Sequence, residues 1–243
     1  MSGKKIIGMW SGPRNISTAL MRSFENRVDT TVTDEPFYAF FLRETGTRHP
    51  MHQEIIDSYD TSWSNVANVL TGPIPNDKDV WYQKLMTHHW VNKKPLKWIS
   101  SIDNCFLIRN PKKVILSYSK IHDEINPELL GLPQQLHIFN YAKEQGKKTP
   151  IVIDSGDILK NPKSMLGKLC DFLGIQFSNR MLKWPKGFRD SDGIWKEHWY
   201  GNVIKTTSFS KPSIRQEEFP DKFLDLLDEC MHYYIMLKKY KIN

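Results

Sequence analysis

The chain has 243 residues and carries 34 lysines and arginines against 27 aspartates and glutamates, which gives a formal net charge of +7. With 40% hydrophobic and 25% charged residues, its composition is that of a folded globule and excludes a disordered, collagen-like or low-complexity chain. The longest strongly apolar run is six residues (37–42), far short of the ~20 of a membrane span, and the first residues do not resemble a signal peptide, so we expect a soluble protein with no membrane partner.

Short apolar runs alternate with helical patterns along the chain. Strands are predicted at residues 4–10, 29–33, 79–88, 105–108 and 149–153, and helices at 15–27, 162–173 and 220–240. Residues 50–76 are predicted to form a helical insertion over the sheet. Because strands separated by helices require crossover connections, we expect a single domain (1–243) with a three-layer α/β/α fold and a central, mainly parallel sheet. Ligands of such sheets bind beyond the carboxyl ends of the strands.

The first candidate site follows the first strand, in the segment SGPRNISTAL (11–20). Three features of this segment suit an anion: a tight turn, the cation of Arg14, and the hydroxyls of Ser17 and Thr18 at a helix start. The backbone N–H groups of Asn15, Ile16 and the following residues would face that anion. An ordinary turn, with Asn15 or Ser17 capping the helix, is an equally good interpretation of this segment alone. The Walker A pattern cannot be laid over it.

The second candidate site follows the strand at 105–108, in the segment RNPKKVILSYSK (109–120). Arg109 ends the strand, and Ser117 lies eight residues later, about two turns into the following helix. A guanidinium and a hydroxyl together can hold a phosphate, because arginine offers a planar fork of donors. An exposed basic helix start is the alternative.

The residue that follows the strand at 105–108 bears on the type of reaction. ATPases and kinases need Mg²⁺ and usually place an aspartate at a strand end to hold it, whereas this strand ends in Arg109. A sulfuryl group carries one negative charge, so fixed cations such as Arg14 and Lys84 could stabilise its transfer in place of a metal. We therefore expect no metal site, although Asp34, Glu35 and Asp154 leave one formally possible.

Taken together, these segments resemble those of a known family. Three segments follow one another along the chain: P-R-N-I-S-T, then F-L-I-R-N-P-x-x-V-x-x-S-Y, then residues 151–175. This order resembles that of the sulfotransferases that use 3′-phosphoadenosine 5′-phosphosulfate (PAPS), most of all their bacterial-type and tyrosyl-protein branches. The resemblance implies a P-loop-like fold and metal-independent transfer of a sulfuryl group from PAPS to a hydroxyl or amine, leaving adenosine 3′,5′-bisphosphate. Pro13-Arg14 and Ser17-Thr18 fall on the family's 5′ signature, and Arg109 and Ser117 on its 3′-phosphate pair.

The sequence departs from the family pattern in three places. Arg14 replaces the lysine of the cytosolic enzymes, and Ala19 stands where they place a tryptophan against the adenine. The last nucleotide loop is matched by 188–199 with its spacing off by one. There, Arg189 would touch the 3′-phosphate, and Trp195 or Trp199 would stack on the base.

Two residues are candidates for the general base that an attacking hydroxyl needs. Glu35 is preferred, because its distance beyond Arg14 resembles the placement of the catalytic glutamate in the tyrosyl-protein branch. Its alternative role is an exposed turn carboxylate or the cap of a helix starting at residue 36, where Asp34 is also a natural N-cap residue. His88 is the second candidate, and it would share a strand face with Lys84, whereas His89 would point the other way.

The expected acceptor is a small, partly hydrophobic molecule. Its pocket is predicted between residues 35–42 and the insertion at 50–76, with walls from Phe37, Tyr38, Phe40 and Trp63. A small-molecule kinase using ATP–Mg²⁺ and a non-catalytic polyanion binder remain alternatives, although the scattered basic residues favour no nucleic-acid partner.

The cysteine count bears on location. Three widely spaced cysteines argue against a disulfide framework and favour a cytoplasmic location. The sequence leaves the oligomeric state open.

Overall fold

The computed structural model describes residues 3–146, 148–210 and 218–242. Its centre is a five-stranded sheet in the order β2-β3-β1-β4-β5, and every neighbouring pair is parallel. The strands are β1 Lys5–Ser11, β2 Thr30–Asp34, β3 Val80–Met86, β4 Asp103–Ile108 and β5 Ile151–Asp154. This confirms the predicted parallel α/β sheet.

Helices cover both faces of the sheet. In chain order the described helices are α1 Ser17–Glu25, α2 Tyr38–Thr45, α3 His52–Ser58, α4 Trp63–Leu70, α5 Pro111–Tyr118, α6 Leu132–Gln145, α7 Ser155–Lys160, α8 Pro162–Leu173, α9 Lys196–Trp199 and α10 Leu224–Lys238. Alternate side chains of β1 point to opposite faces of the sheet. Met9 packs with α1 and α8, and Trp10 packs with α4, α6 and α10, so the three-layer prediction is confirmed.

The predicted elements agree with the structure except at some ends. Helix α8 has the predicted bounds, and the insertion at 50–76 holds α3, α4 and a 3-10 turn at Pro75–Asp77. The third strand ends two residues early, because Thr87–His89 forms a 3-10 turn. The predicted helix at 220–240 begins as another such turn, Asp221–Phe223.

The carboxyl ends of all five strands lie at one edge of the sheet, where β1 turns into α1. Gly12 makes this turn possible, because a Cβ on it would lie 2.3 Å from the carbonyl oxygen of Leu130. The edge therefore gathers the residues that follow each strand. Within the described part of the chain, no helix has the length and apolar character needed to cross a bilayer.

Candidate active site

The turn between β1 and α1 leaves the start of α1 open. Arg14 (φ 62°) and Ile16 (φ 61°) adopt left-handed backbone conformations, and no side chain caps the helix. The expectation that Asn15 or Ser17 caps it is wrong, because Ile16 occupies the N-cap and the Asn15 amide donates to the Leu107 carbonyl (3.3 Å). The first N–H groups of α1 lack a side-chain acceptor and are therefore available to an anion.

The two predicted anion-binding segments meet in space. Arg14 Nε donates to Ser117 Oγ (2.9 Å), and Arg109 Nη1 donates to the carbonyl oxygen of Arg14. Burial lowers the pKa of Arg14, and burial together with repulsion from Arg14 lowers the pKa of Arg109. Arginine nevertheless stays charged at neutral pH, so two neighbouring cations lie together at the carboxyl ends of β1 and β4.

A cavity of about 120 Å³ lies at this edge of the sheet. The side chains around it are Pro13, Arg14, Ser17, Thr18, Glu35, Tyr38, His49, Lys84, Met86, His88, His89, Tyr118, Ile121, His122, Trp199 and Tyr200. Six of these were predicted as catalytic or phosphate-binding residues: Arg14, Ser17, Thr18, Glu35, Lys84 and His88. One cavity therefore joins the anion-binding turn to both candidates for the base.

Lys84 lies beside the cavity as a buried cation. The parallel register of β2 and β3 places Lys84 next to Asp34. Its Nζ donates to Asp34 Oδ1 (3.0 Å) and Glu35 Oε1 (2.7 Å), and also to the hydroxyl of Tyr200 (2.6 Å). The side chain is 1% exposed. Burial disfavours its charge, but Asp34 and Glu35 outweigh burial and raise the pKa of Lys84 well above its ordinary value. All three ammonium donors are thus used within the protein.

Tyr200 joins this network from the far end of the chain. Its hydroxyl donates to Asp34 Oδ2 (2.6 Å), which also accepts the N–H of Gly193 (3.2 Å). The interpretation of Asp34 as a helix cap is wrong: the residue ends β2, and the next helix begins only at Tyr38. Sequence reasoning did not identify Tyr200. We call Asp34, Glu35, Lys84 and Tyr200 the carboxylate network.

Glu35 follows β2 in a left-handed conformation (φ 43°), which a residue with a side chain rarely adopts. Its backbone N–H donates to the Lys84 carbonyl (3.1 Å), which fixes this turn. The side chain lines the cavity and is 13% exposed. Burial raises the pKa of Glu35, the ammonium of Lys84 lowers it and Asp34 raises it again, so that the pKa stays above its ordinary value.

Two adjacent histidines lie in the 3-10 turn after β3. The prediction that His88 shares a strand face with Lys84 is wrong, because β3 ends at Met86. His88 still lines the cavity, and burial lowers its pKa to about 3. His89, the less favoured residue on sequence grounds, lies with Nε2 3.9 Å from Glu35 Oε2. Burial also lowers the pKa of His89 well below its ordinary value.

Aromatic and imidazole rings form much of the remaining wall. The hydroxyl of Tyr38 accepts from Trp199 Nε1 (3.2 Å) and bonds His49 Nδ1 (2.8 Å). Burial, followed by the neighbouring His122, lowers the pKa of His49 to about 4, so this ring is neutral at physiological pH. His122 stacks on Tyr118, with ring centroids 4.2 Å apart.

The predicted acceptor pocket is only partly correct. Tyr38 lines the cavity, but the other three proposed walls do not. Phe37 stacks in the core on Trp63, the first residue of α4 (4.1 Å between centroids), and Phe40 packs edge-on against the same ring (5.3 Å). Phe40 and Trp63 border a separate open groove between α2, α4 and residues 94–101.

Arg189 does not lie near Arg109 and Ser117, with which it was predicted to bind the 3′-phosphate. Its guanidinium lies 3.6 Å from Glu25 and donates to the Pro185 carbonyl (2.9 Å). Glu25 is the last of the nine residues of α1, about 12 Å from the helix start, so Arg189 lies at the wrong end of the helix to join Arg109 and Ser117. Trp195 is buried in the core, whereas Trp199 does line the cavity.

Comparison with known proteins assigns the chain a family. Residues 4–241 match the model of a sulfotransferase domain. Branched-chain-amino-acid aminotransferase-like protein 2 of Arabidopsis thaliana is 34% identical over 235 residues, which are 96% of this chain and 41% of that protein. The chain thus spans about two fifths of the length of this curated relative.

Solved structures share the fold. The sulfotransferase domain from the curacin biosynthetic pathway superposes with a TM-score of 0.55 at 16% identity and full coverage of both chains. A sulfotransferase from Alicyclobacillus acidocaldarius gives a TM-score of 0.53 at 11% identity, covering 98% of this chain and 96% of that one.

Proposed function

Because this chain belongs to the sulfotransferase-domain family, which its residues 4–241 match, we propose that it transfers a sulfuryl group from PAPS to a hydroxyl or amine of a small, partly hydrophobic molecule. One observation carries the proposal: the Arg14–Ser117 hydrogen bond and the Arg109–Arg14 contact adjoin the cavity that also holds Glu35. Donors suited to a nucleotide phosphate thus lie beside a buried carboxylate. Three unpaired, buried cysteines support a cytoplasmic location.

The nucleotide would bind across the carboxyl ends of β1 and β4. By resemblance to the family, Arg109 and Ser117 hold its 3′-phosphate. Arg14, the hydroxyls of Ser17 and Thr18 and the N–H groups of 15–18 hold the 5′-phosphosulfate. The open start of α1 supports this assignment, because uncapped N–H groups and the helix dipole favour an anion.

Glu35 is the proposed general base. As the acceptor oxygen attacks sulfur, its proton passes to the Glu35 carboxylate, the bond between sulfur and the bridging phosphate oxygen breaks, and that oxygen leaves as part of adenosine 3′,5′-bisphosphate. A raised pKa makes Glu35 a better proton acceptor than an ordinary carboxylate, whereas a pKa of about 3 makes His88 a poor one. Arg14 stabilises the charge that develops on the leaving phosphate.

Lys84 acts in this proposal through Glu35. Its ammonium group is surrounded by two carboxylates and a tyrosine hydroxyl, so no donor is left for the transferring group. Instead it holds one oxygen of Glu35 in place. Direct stabilisation of the sulfuryl group by Lys84, as expected from the sequence, would require one of these three bonds to break.

Nucleotide binding is tested by calorimetry with adenosine 3′,5′-bisphosphate and, separately, with ATP–Mg²⁺. We expect the bisphosphate to bind and ATP–Mg²⁺ to bind weakly. Arg109→Ala and Ser117→Ala should weaken bisphosphate binding, the arginine by about 10- to 100-fold, the size of a lost hydrogen bond to a charged group. Arg189→Ala is the matched control and should leave affinity unchanged. Tight ATP–Mg²⁺ binding without bisphosphate binding would show a kinase instead.

The role of Glu35 is tested by transfer. A library of hydroxylated metabolites is incubated with PAPS and searched by mass for a sulfate adduct, and the acceptor found is used for kinetics. Glu35→Gln should retain bisphosphate affinity and lose at least about 100-fold in kcat. If Glu35→Gln stays active while His88→Ala does not, His88 is the base.

A further inference from the structure

His89 is a buried side chain whose hydrogen-bonding capacity is unused. It is 1% exposed, and neither ring nitrogen has a hydrogen-bond partner among the described residues. A neutral imidazole carries a proton on one of its two nitrogens. A buried N–H without an acceptor is unfavourable, so the position of that proton should reflect the nearest acceptor.

Packing fixes the plane of the His89 ring. It lies parallel to the ring of Tyr38 (5.0 Å between centroids, 7° between planes) and stacks on Phe41 (5.0 Å, 25°). The edge of its ring meets His88 at 4.4 Å between centroids. Because three rings hold it, His89 cannot turn to find another partner without disturbing the cavity wall.

The acceptor that His89 faces is the free oxygen of Glu35. His89 Nε2 lies 3.9 Å from Glu35 Oε2, while Lys84 holds Oε1 at 2.7 Å. A separation of 3.9 Å is too long for a hydrogen bond, but a small rotation of the carboxylate would close it. One oxygen of Glu35 is therefore anchored, and the other lies opposite an unused donor.

We infer that His89 is a positioning residue for Glu35: as a neutral imidazole with its proton on Nε2, it donates to Oε2 and holds the carboxylate between itself and Lys84. The inference rests on the proposed function only in making Glu35 the base. The other titratable groups around Glu35 are Asp34, Lys84, Tyr38, His88 and Tyr200.

A hydrogen bond from His89 would also change the pKa of Glu35. A donor to the carboxylate favours the charged form and so opposes the effect of burial. Removing the donor should therefore raise the pKa of Glu35 further and leave more of the base protonated at a given pH. If the His89 ring acted only through packing, a substitution that preserves the packing would leave the titration of Glu35 unchanged.

Two substitutions separate the donor from the ring. His89→Phe keeps an aromatic ring against Tyr38 and Phe41 but removes the donor. His89→Gln keeps an N–H donor near the position of Nε2 and loses the ring. His88→Phe is the matched control on the neighbouring residue.

The titration of Glu35 is followed in ligand-free protein by infrared spectroscopy of the protonated carboxyl group, identified as the band that Glu35→Gln removes. We expect His89→Phe to raise the midpoint by about one pH unit. His89→Gln should restore the wild-type midpoint, and His88→Phe should not change it. An unchanged midpoint in His89→Phe, or an equal rise in His89→Gln, would overturn the inference.

A second measurement needs no variant of His89. The ¹⁵N chemical shifts of its ring in the wild-type protein report which nitrogen carries the proton. We expect the proton on Nε2, with its signal shifted in Glu35→Gln; a proton on Nδ1 would overturn the inference even if His89→Phe failed to fold. Neither measurement uses PAPS or an acceptor, so failure of the proposed function would appear separately, as absent bisphosphate binding with these titrations unchanged.

Discussion

Two regions, at and beside the cavity, differ in how their polar groups are paired. In the anion-binding region (Arg14, Ser17, Thr18, Arg109 and Ser117) donors outnumber acceptors, and the hydroxyls of Ser17 and Thr18 have no partner among the described residues. In the carboxylate network, Lys84 is surrounded by acceptors, and Asp34 accepts from Lys84, Tyr200 and Gly193.

Because of this difference, we expect the anion-binding region to determine ligand affinity and the carboxylate network to contribute to the stability of the fold. On the proposed function, a bound anion completes the anion-binding region, because its cations repel each other and its helix start is uncapped. The carboxylate network is already hydrogen-bonded internally, and removing its cation leaves buried carboxylates without their partner. Substitutions in the first region should therefore reduce ligand affinity, and substitutions in the second should reduce the free energy of unfolding.

The strongest test of this contrast is Lys84→Met. It leaves the carboxylates of Asp34 and Glu35 next to each other with their shared cation removed, and we expect a loss of about 3–5 kcal/mol in the free energy of unfolding, measured by urea denaturation at pH 7.5. Lys78→Met, on a partly exposed lysine whose ammonium group donates to the Val28 carbonyl (2.9 Å), is the control and should cost less than about 0.5 kcal/mol. A loss below about 1 kcal/mol in Lys84→Met would mean that the network is not needed for folding.

Acidification tests the imidazole side of the cavity. Burial holds His88 neutral down to a pKa of about 3 and keeps the pKa of His89 well below its ordinary value, whereas both protonate near pH 6.5 in the unfolded chain. Below that pH the unfolded state binds more protons, so stability falls as pH falls. At pH 5.5 each of these two histidines should have cost about 1.4 kcal/mol, as should His49 with its pKa of about 4, so the three together should cost about 4 kcal/mol.

Urea denaturation at pH 7.5 and 5.5 measures this loss, and His88→Phe should reduce it by about a third. Glu35 acts in the opposite direction, because its raised pKa stabilises the folded state as pH falls towards that of an ordinary carboxyl group. Equal stability at the two pH values would show that these rings protonate freely in the folded protein.

Tyr200→Phe removes a single hydroxyl from the carboxylate network. Asp34 Oδ2 then keeps only the Gly193 N–H, and Lys84 loses one of its three acceptors. We expect a loss of about 1–3 kcal/mol in the free energy of unfolding and no change in bisphosphate affinity. Tyr240→Phe, on an exposed tyrosine whose hydroxyl accepts from Lys143, is the control and should be within about 0.5 kcal/mol of the wild type.

The two regions also differ in how far the sequence could predict them. The proposed anion-binding residues lie in two short segments, each directly after an apolar run, so local patterns together with the family resemblance singled out Arg14, Ser17, Thr18, Arg109 and Ser117. The parallel sheet then brings both segments to one edge. The sheet itself was predictable for the same reason, since each strand is a short run of mainly apolar or β-branched residues.

The carboxylate network depends on register and on distant segments. Asp34 faces Lys84 only because β2 and β3 pair in that register, and a strand end uncertain by two residues also misplaced His88. Tyr200 lies 116 residues from Lys84 in a segment with no regular pattern, and Arg189 was assigned by a loosely matching loop. No local signal predicted these positions.

The smallest effect on stability should come from Ser17→Ala, and it bears on the contrast most directly. The Ser17 side chain is buried without a hydrogen-bond partner among the described residues, so its removal should change the free energy of unfolding by less than about 0.5 kcal/mol and weaken bisphosphate binding by roughly tenfold. Ser23→Ala on the same helix is the matched opposite. The Ser23 hydroxyl donates to the Met181 carbonyl (2.7 Å), so its loss should cost about 1 kcal/mol of stability and no affinity. Calorimetry and urea denaturation on both variants give the two pairs of values, and a loss of stability in Ser17→Ala equal to that in Ser23→Ala would mean that the anion-binding region is already complete without its anion.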